Sequence, residues 1–229
     1  MKHLNFIVEG SSEEAFVKDV LEPHFRSINV YVSARKIRTG WDRLNNKPAK
    51  GGLLKYIQFR NDVLRWIKSD RANPIFWYTS MIDLYAFPKD DLSPYSDAIK
   101  SINDPYQKID ALESAIAQNI DHPRFIPYVQ LHEFEAFLLV DPDRLILMYP
   151  DQQSGINRLK RNIGNKDPEK INESEHSAPS KRIIKYLPDY ENQKAQVGPL
   201  VAEDIGLSEL RRKCPHFNAW ITRLEELGN

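Results

Sequence analysis

The sequence predicts an α/β fold: a mostly parallel four-stranded sheet flanked by helices, with a helical C-terminal extension. Two observations predict it. Four strand-like segments alternate with four helix-like segments up to about residue 150, and such alternation implies parallel strands joined by helical crossovers. Beyond that point the strand signal fades and only helical spacing remains. The expected division is an α/β core over 1–150 and a helical cap and C-terminal extension over 151–229, packed on that core.

The elements follow in order. Residues 3–8 are a short apolar run that reads as a buried strand. Glu9-Gly10-Ser11-Ser12 then turns into a helix that Ser11 or Ser12 can cap, with Glu13 and Glu14 in its first turn, where negative charge is favoured. Phe16, Val17, Val20 and Leu21 give that helix one apolar face, and Pro23 is expected to end it. Residues 29–33 alternate as a second strand. A basic, glycine-bearing loop runs from Arg35 to Gly52, followed by a helix over 53–68. Residues 75–82 carry the strongest strand signal, and Asp83 stands at its C-terminal end. A Pro/Asp/Ser-rich loop over 88–105 leads to an amphipathic helix over 106–120. Residues 125–130 read as a fourth strand in which Pro127 marks an edge or a bulge. A helix begins at His132. The polar stretch 151–180 reads as a flexible excursion or a small helical cap, and the tail shows helical patterns near 194–203 and 215–227.

Bulk properties narrow the classes of function. The chain of 229 residues has 32 Lys plus Arg against 32 Asp plus Glu, so it carries no global basic signal for nucleic acid, although local patches remain open. Cys214 is the one cysteine, which excludes an intrachain disulfide and suits a cytoplasmic location. It reads as a structural thiol, with a nucleophile beside Arg211, Arg212 and Lys213 as the alternative. No apolar run approaches a membrane span, and charge at Glu9, Glu13 and Glu14 interrupts any N-terminal signal pattern.

Chemistry in an open parallel sheet gathers beyond the C-terminal ends of the strands. Glu9 follows the first strand, Asp83 the third, and Glu133 with Glu135 the fourth. Carboxylates from three strand ends can together hold Mg²⁺ or Mn²⁺ through hard oxygen ligands. Each has a plainer reading: Glu9 as a solvated or dipole-complementing residue, Asp83 as a helix cap, His132 as a structural hydrogen-bonding residue. Glu133 and Glu135, two apart, are not expected to point inward together from a helix; one would bind and the other cap or stay exposed.

These residues carry a resemblance. Val8-Glu9-Gly10-Ser11-Ser12-Glu13 resembles the opening of the Toprim fold, and Glu9-x-x-x-Glu13 is similar to the variant in OLD-family nucleases, where a second glutamate follows one turn on. Ile82-Asp83-Leu84-Tyr85 stands where a Toprim domain carries Asp-x-Asp, with Tyr85 in place of the second aspartate. Over nearly its full length the chain resembles the bacterial family known as domain of unknown function 4276. Its motifs read here as Val8-Glu9-Gly10, Lys50-Gly51-Gly52, Asp83-Leu84-Tyr85-Ala86-Phe87-Pro88, His132-Glu133-Phe134-Glu135-Ala136-Phe137 and Pro179-Ser180-Lys181-Arg182. The resemblance implies a Toprim-like fold, a metal set of Glu9, Glu13, Asp83, Glu133 and Glu135, and Mg²⁺ or Mn²⁺ as cofactor.

Basic residues complete the expectation. Arg35, Lys36, Arg38, Lys50 and Lys55 surround the Gly51-Gly52 pair and could line a nucleic-acid groove; a solvated charged loop is the alternative. Lys181 and Arg182 form a second cluster, with Lys181 the candidate to steady a phosphate beside the catalytic Glu9 and Asp83. Trp41, Trp66 and Trp77 could stack on bases, with core packing the expected role for Trp77. The leading expectation is a metal-dependent nuclease acting on DNA or RNA, the effector of an anti-phage or DNA-processing system. It would be paired with a separate AAA- or ABC-type ATPase, form a homodimer and have no membrane partner. A non-catalytic module that binds nucleic acid or the ATPase, and a small-molecule phosphohydrolase, are the competing readings.

Overall fold

Strand β1 (Lys2–Val8) is apolar because both of its faces are covered. Leu4, Phe6 and Val8 enter one hydrophobic layer and Ile7 the other, the period-two alternation of a strand. The computed structural model describes residues 1–37, 41–42, 47–48, 55–70, 73–85, 87–172 and 177–228.

Helix α1 (Ser11–Phe16) passes through a π-turn (Val17–Leu21) into α2 (Glu22–Ser27). The expected stop near Pro23 is therefore corrected. A proline removes one N–H and crowds the carbonyl four residues back. Here the ladder shifts register just before it, with the Glu22 N–H bonded to the Val17 carbonyl, and Pro23 falls in a first turn that needs no N–H from it. Strand β2 (Val30–Lys36) follows, then a short antiparallel pair, β3 (Trp41–Asp42) and β4 (Lys47–Pro48). Helix α3 (Tyr56–Ser69) buries Tyr56, Phe59, Val63 and Trp66, and the first residues of the expected helix, 53–54, lie outside the described ones.

Strand β5 (Phe76–Asp83) is central. After it, α4 (Asp97–Lys100) interrupts the Pro/Asp/Ser-rich loop. Helix α5 (Pro105–Ile120) starts where the Asp104 side chain accepts the Gln107 N–H at 2.9 Å, and it buries Ile109, Leu112, Ile116 and Ile120. The fourth strand is split by Pro127 into β6 (Phe125–Ile126) and β7 (Val129–Gln130), both paired with β5. The sheet order is β2-β1-β5-β6, with β7 also on β5, and every pairing in it is parallel.

The expected helix after His132 is two 3₁₀ segments, Phe134–Leu139 and Pro142–Leu147. Of the polar stretch 151–180, the described part is a helical cap: α6 (Gln153–Ile163) and the start of α7 (Pro179–Tyr186), with residues 173–176 outside the described ones. Helices α8 (Lys194–Ile205), α9 (Leu207–Lys213) and α10 (Pro215–Glu225) complete the chain.

Helices α3 and α5 cover one face of the sheet, through the layer containing Ile7, Tyr78 and Ile82. Helices α1, α8 and α10 cover the other, with Leu4, Phe6 and Met81. The C-terminal helices thus seal a sheet face rather than decorate it. Cys214, fully buried between α9 and α10, has its thiol pushed well above the ordinary range by burial, then by the nearby charge of Glu169 and Asp167. It is a structural thiol. Among the described residues no helix is long and apolar enough to cross a membrane.

Candidate functional site

Strands β1 and β5 are neighbours in parallel register, Val8 opposite Met81, so both chains leave the sheet at one rim. Glu9 and Asp83 are the residues that leave it. The Glu9 N–H donates to the Met81 carbonyl at 3.1 Å, and Glu9 Oε2 accepts the Asp83 backbone N–H at 3.0 Å. Two carboxylates 74 positions apart are thereby tied together.

Glu13 joins them through the start of α1. The cap is Gly10, not Ser11 or Ser12: the Gly10 N–H donates to Glu13 Oε2 at 2.8 Å, half of a capping box. A Cβ at position 10 would stand 2.9 Å from that oxygen, so glycine permits the close approach. The Glu13 side chain is drawn inward, and the residue is only 6% exposed.

Glu133 and Glu135 have different surroundings. Glu133 precedes the 3₁₀ segment in extended backbone, φ −146° and ψ 159°, so helical spacing does not govern the pair. Glu133 Oε2 accepts the Ser180 N–H at 2.9 Å, at the start of α7. Glu135 is buried. Its Oε1 accepts the Tyr190 hydroxyl at 3.3 Å and lies 3.6 Å from Lys194 Nζ.

Electrostatics records the convergence. Burial, then the charges of Glu13, Glu9, Glu135 and Glu133, push the Asp83 carboxyl well above its ordinary value. Asp83 Oδ1 is buried with no hydrogen-bond partner among the described residues. Burial raises Glu13 to about 7, assisted by Glu9 and Glu135, and burial raises Glu135 as well. Asp83 thus feels the charge of the four glutamates singled out in the sequence, and Glu9 is the one that contacts it directly, through the backbone N–H.

The rim has a measurable consequence. Folded Glu13 holds a proton between its ordinary value of 4.5 and about 7, where the unfolded chain has released it. Its contribution therefore stabilises the fold at low pH and is lost as pH rises through 7, on the order of 3 kcal/mol in all. Urea unfolding at pH 5 and pH 8 should show this fall, and Glu13→Gln should shrink it. An identical pH dependence in the variant would refute the assignment.

Immediately beyond Asp83 opens a cleft of about 550 Å³, lined by Tyr85, Lys89, Tyr95, Lys108, His132 and Asn172 among others. Tyr85, in place of a second aspartate, is 41% exposed there. His132 adopts φ 68°, and its Nδ1 lies 3.1 Å from the Asn172 amide nitrogen. Burial, aided by Lys108, lowers its pKa to about 4, so the ring is neutral at pH 7. It is a hydrogen-bonding residue at the cleft wall.

The predicted basic residues divide. Arg35 and Lys36 end β2, beside Ile7 and Val8, and so stand on the same rim. The Arg35 guanidinium lies 4.1 Å over the Trp66 ring, so Trp66 is 6% exposed and already stacked. Lys36 Nζ contacts Glu14 at 3.4 Å and Ser11 Oγ at 3.2 Å. Lys55 is exposed just before α3, and Lys181 is exposed in the first turn of α7. Arg182 corrects the sequence reading. It is 7% exposed, donating to the Ser177 carbonyl at 2.8 Å and to Asn162 at 2.7 Å, and so braces the turn before α7 instead of facing a groove. Arg38, Lys50, Gly51 and Gly52, and the Trp41 side chain, lie outside the described residues. Trp77 packs against the core, as expected.

Sequence reasoning missed Lys89, Lys108, Tyr190 and Lys194, which only tertiary packing brings to the rim and its cleft. It also missed a separate group. Among the described residues, the one set of three His, Cys, Asp or Glu side chains with donor atoms all within 4.8 Å of one another is Asp110, Glu113 and His216. No three of the rim carboxylates meet that spacing.

No curated protein and no solved structure matches the chain. One family profile does, described as Domain of unknown function (DUF4276), and it spans residues 8–225. The match takes in every rim carboxylate and almost the whole fold, and the chain belongs to the DUF4276 family.

Proposed function

We propose that the protein is a Toprim-like, Mg²⁺- or Mn²⁺-dependent nuclease that hydrolyses phosphodiester bonds in DNA or RNA. The observation that carries the reading is the pairing of Glu9 with the end of β5 beside the unpartnered Asp83 Oδ1, with Glu13, Glu133 and Glu135 near enough for their charges to act on Asp83. Their mutual repulsion is what a divalent cation relieves, and the donors are hard oxygens. That no three of them lie within 4.8 Å of one another fits an ion that takes one or two carboxylates and keeps several waters, as Mg²⁺ does. Glu9 and Asp83 would hold it, with Glu13, Glu133 and Glu135 around them. Bound there, the ion supplies polarisation of a phosphoryl group and a lower pKa for water.

The chain's own residues then have distinct tasks. Lys89 and Lys108 line the adjoining cleft and can hold phosphate oxygens, and Tyr85 offers an exposed ring for a base. Lys181, on the helix whose first turn binds Glu133, is the further phosphate contact. The partner in this reading is a separate AAA- or ABC-type ATPase in an anti-phage or DNA-processing system, because the sequence has no P-loop of its own.

One observation favours a second reading, a non-catalytic module that binds nucleic acid or the ATPase. Lys194 already neutralises part of the rim through Glu135, and Tyr85 removes a ligand. The test is cleavage of plasmid, single-stranded DNA and tRNA with Mg²⁺ or Mn²⁺. The nuclease reading expects cutting by the wild type and none by Glu9→Ala. A folded protein that is inert alone and with a reconstituted ATPase would sink it.

A further inference from the structure

A second site lies on different elements. Helix α5 carries Asp110 and Glu113 three residues apart, so both project from one face. His216 is the second residue of α10, and three contacts fix its ring. The N–H groups of His216 and Phe217 donate to the two oxygens of the fully buried Glu169 carboxylate, at 3.0 and 2.9 Å. The imidazole also stacks on Tyr128, with centroids 4.9 Å apart and planes at 17°.

His216 is 8% exposed. Its Nε2 pairs with Glu113 Oε1 at 3.1 Å, an oxygen that also accepts the Val129 N–H at 2.7 Å. Its Nδ1 is buried with no hydrogen-bond partner among the described residues. Asp110, Glu113 and His216 bring three donor atoms within 4.8 Å of one another, two of them on side chains already in contact, an arrangement that a shared cation can occupy.

We propose that Asp110, Glu113 and His216 form a site for a divalent transition-metal ion, which clamps α5 to α10 across the edge of the sheet. One imidazole nitrogen and two carboxylates suit Zn²⁺ or Mn²⁺ better than Mg²⁺ or Ca²⁺, which take oxygen ligands. Donors on one tetrahedral ion stand roughly 3.3 Å apart, given metal–ligand bonds of about 2.0–2.2 Å. The observed spread of up to 4.8 Å closes by a side-chain rotation of Asp110, which is exposed and faces solvent. Water fills the remaining positions on that side. The site shares no residue with the rim and stands whether or not the protein is a nuclease.

The test uses the full, untagged chain, stripped with chelator and titrated with Zn²⁺ at pH 7.5. One equivalent should bind with a dissociation constant near or below about 1 µM and raise the melting temperature. Asp110→Asn, at an exposed position, leaves the fold intact and should weaken binding at least about ten-fold, as should His216→Asn. X-ray absorption should show one imidazole ligand. Glu9→Ala, which alters only the rim, should leave Zn²⁺ affinity unchanged. Absence of binding below about 100 µM, equal affinity in Asp110→Asn, or loss of Zn²⁺ binding in Glu9→Ala instead would each overturn the proposal.

Discussion

Replacing Asp83 with asparagine is expected to make the protein more stable and to remove the nuclease activity proposed above. The two effects have one cause. Asp83 is half-buried at the end of β5, with its Oδ1 fully enclosed, and its carboxyl is pushed well above its ordinary value by desolvation and by four neighbouring glutamates. At pH 8 the unfolded chain carries that charge freely, whereas the folded state must either hold it against them or keep a proton, and an amide of the same shape does neither. Resistance to urea at pH 8 should therefore rise, and the gain should shrink as pH falls below the ordinary value of 3.8, where the carboxyl is protonated in both states. Activity should move the opposite way. Even residues that merely orient metal ligands cost about 10- to 100-fold when removed, so losing a ligand should cost about 100-fold or more. A variant with higher stability and intact cleavage would separate the rim from the chemistry and refute the nuclease reading. A variant of lower stability at pH 8 would show that the carboxylates are not repelling one another.

Trp220→Ala should cost about 3–5 kcal/mol, among the largest losses from any single substitution in the chain. The indole is 5% exposed on α10, at the junction of the C-terminal helices and the sheet. It stacks on Tyr128 with centroids 3.9 Å apart and planes at 10°, and meets Phe6 edge-on at 5.8 Å. Its Nε1 donates to Thr79 Oγ1 at 2.9 Å, and Thr79 in turn donates to the Ile126 carbonyl at 2.6 Å. Truncation opens a cavity, removes the stack and strips an acceptor bond from a buried strand. Leu200→Ala, at a position 48% exposed on α8, is the control and should stay within about 1 kcal/mol. If Trp220→Ala cost no more than that control, the last helix would not be part of the cooperative fold.

Much of this molecule was legible before its structure. The apolar runs at 3–8 and 75–82 read as strands because strands buried on both faces leave little room for polar residues, and they are β1 and β5. The spacing of Ile109, Leu112, Ile116 and Ile120 read as a helix because one face must meet the sheet, and α5 buries those four. Glu9 and Asp83 could be named because residues at the C-terminal ends of adjacent parallel strands emerge at the same rim. Pro23 misled because a proline forbids one hydrogen bond rather than a direction of the chain, and a π-turn supplied the shift. Arg182 misled because sequence reports a charge but not which way it turns.

By itself, then, the sequence determined the local periodicities, the parallel α/β class, the closeness of Glu9 and Asp83, and the family. These follow from short-range spacing and from strand ends, which the chain carries in linear order. Tertiary structure alone decided that Glu133 accepts the Ser180 N–H, that Lys194 pairs with Glu135, and that α10 seals a face of the sheet. It also decided that His216 meets Asp110 and Glu113. Each of these depends on how far a side chain is turned and what packs behind it, and burial and direction are properties of the packed whole, fixed by contacts between residues up to 201 positions apart.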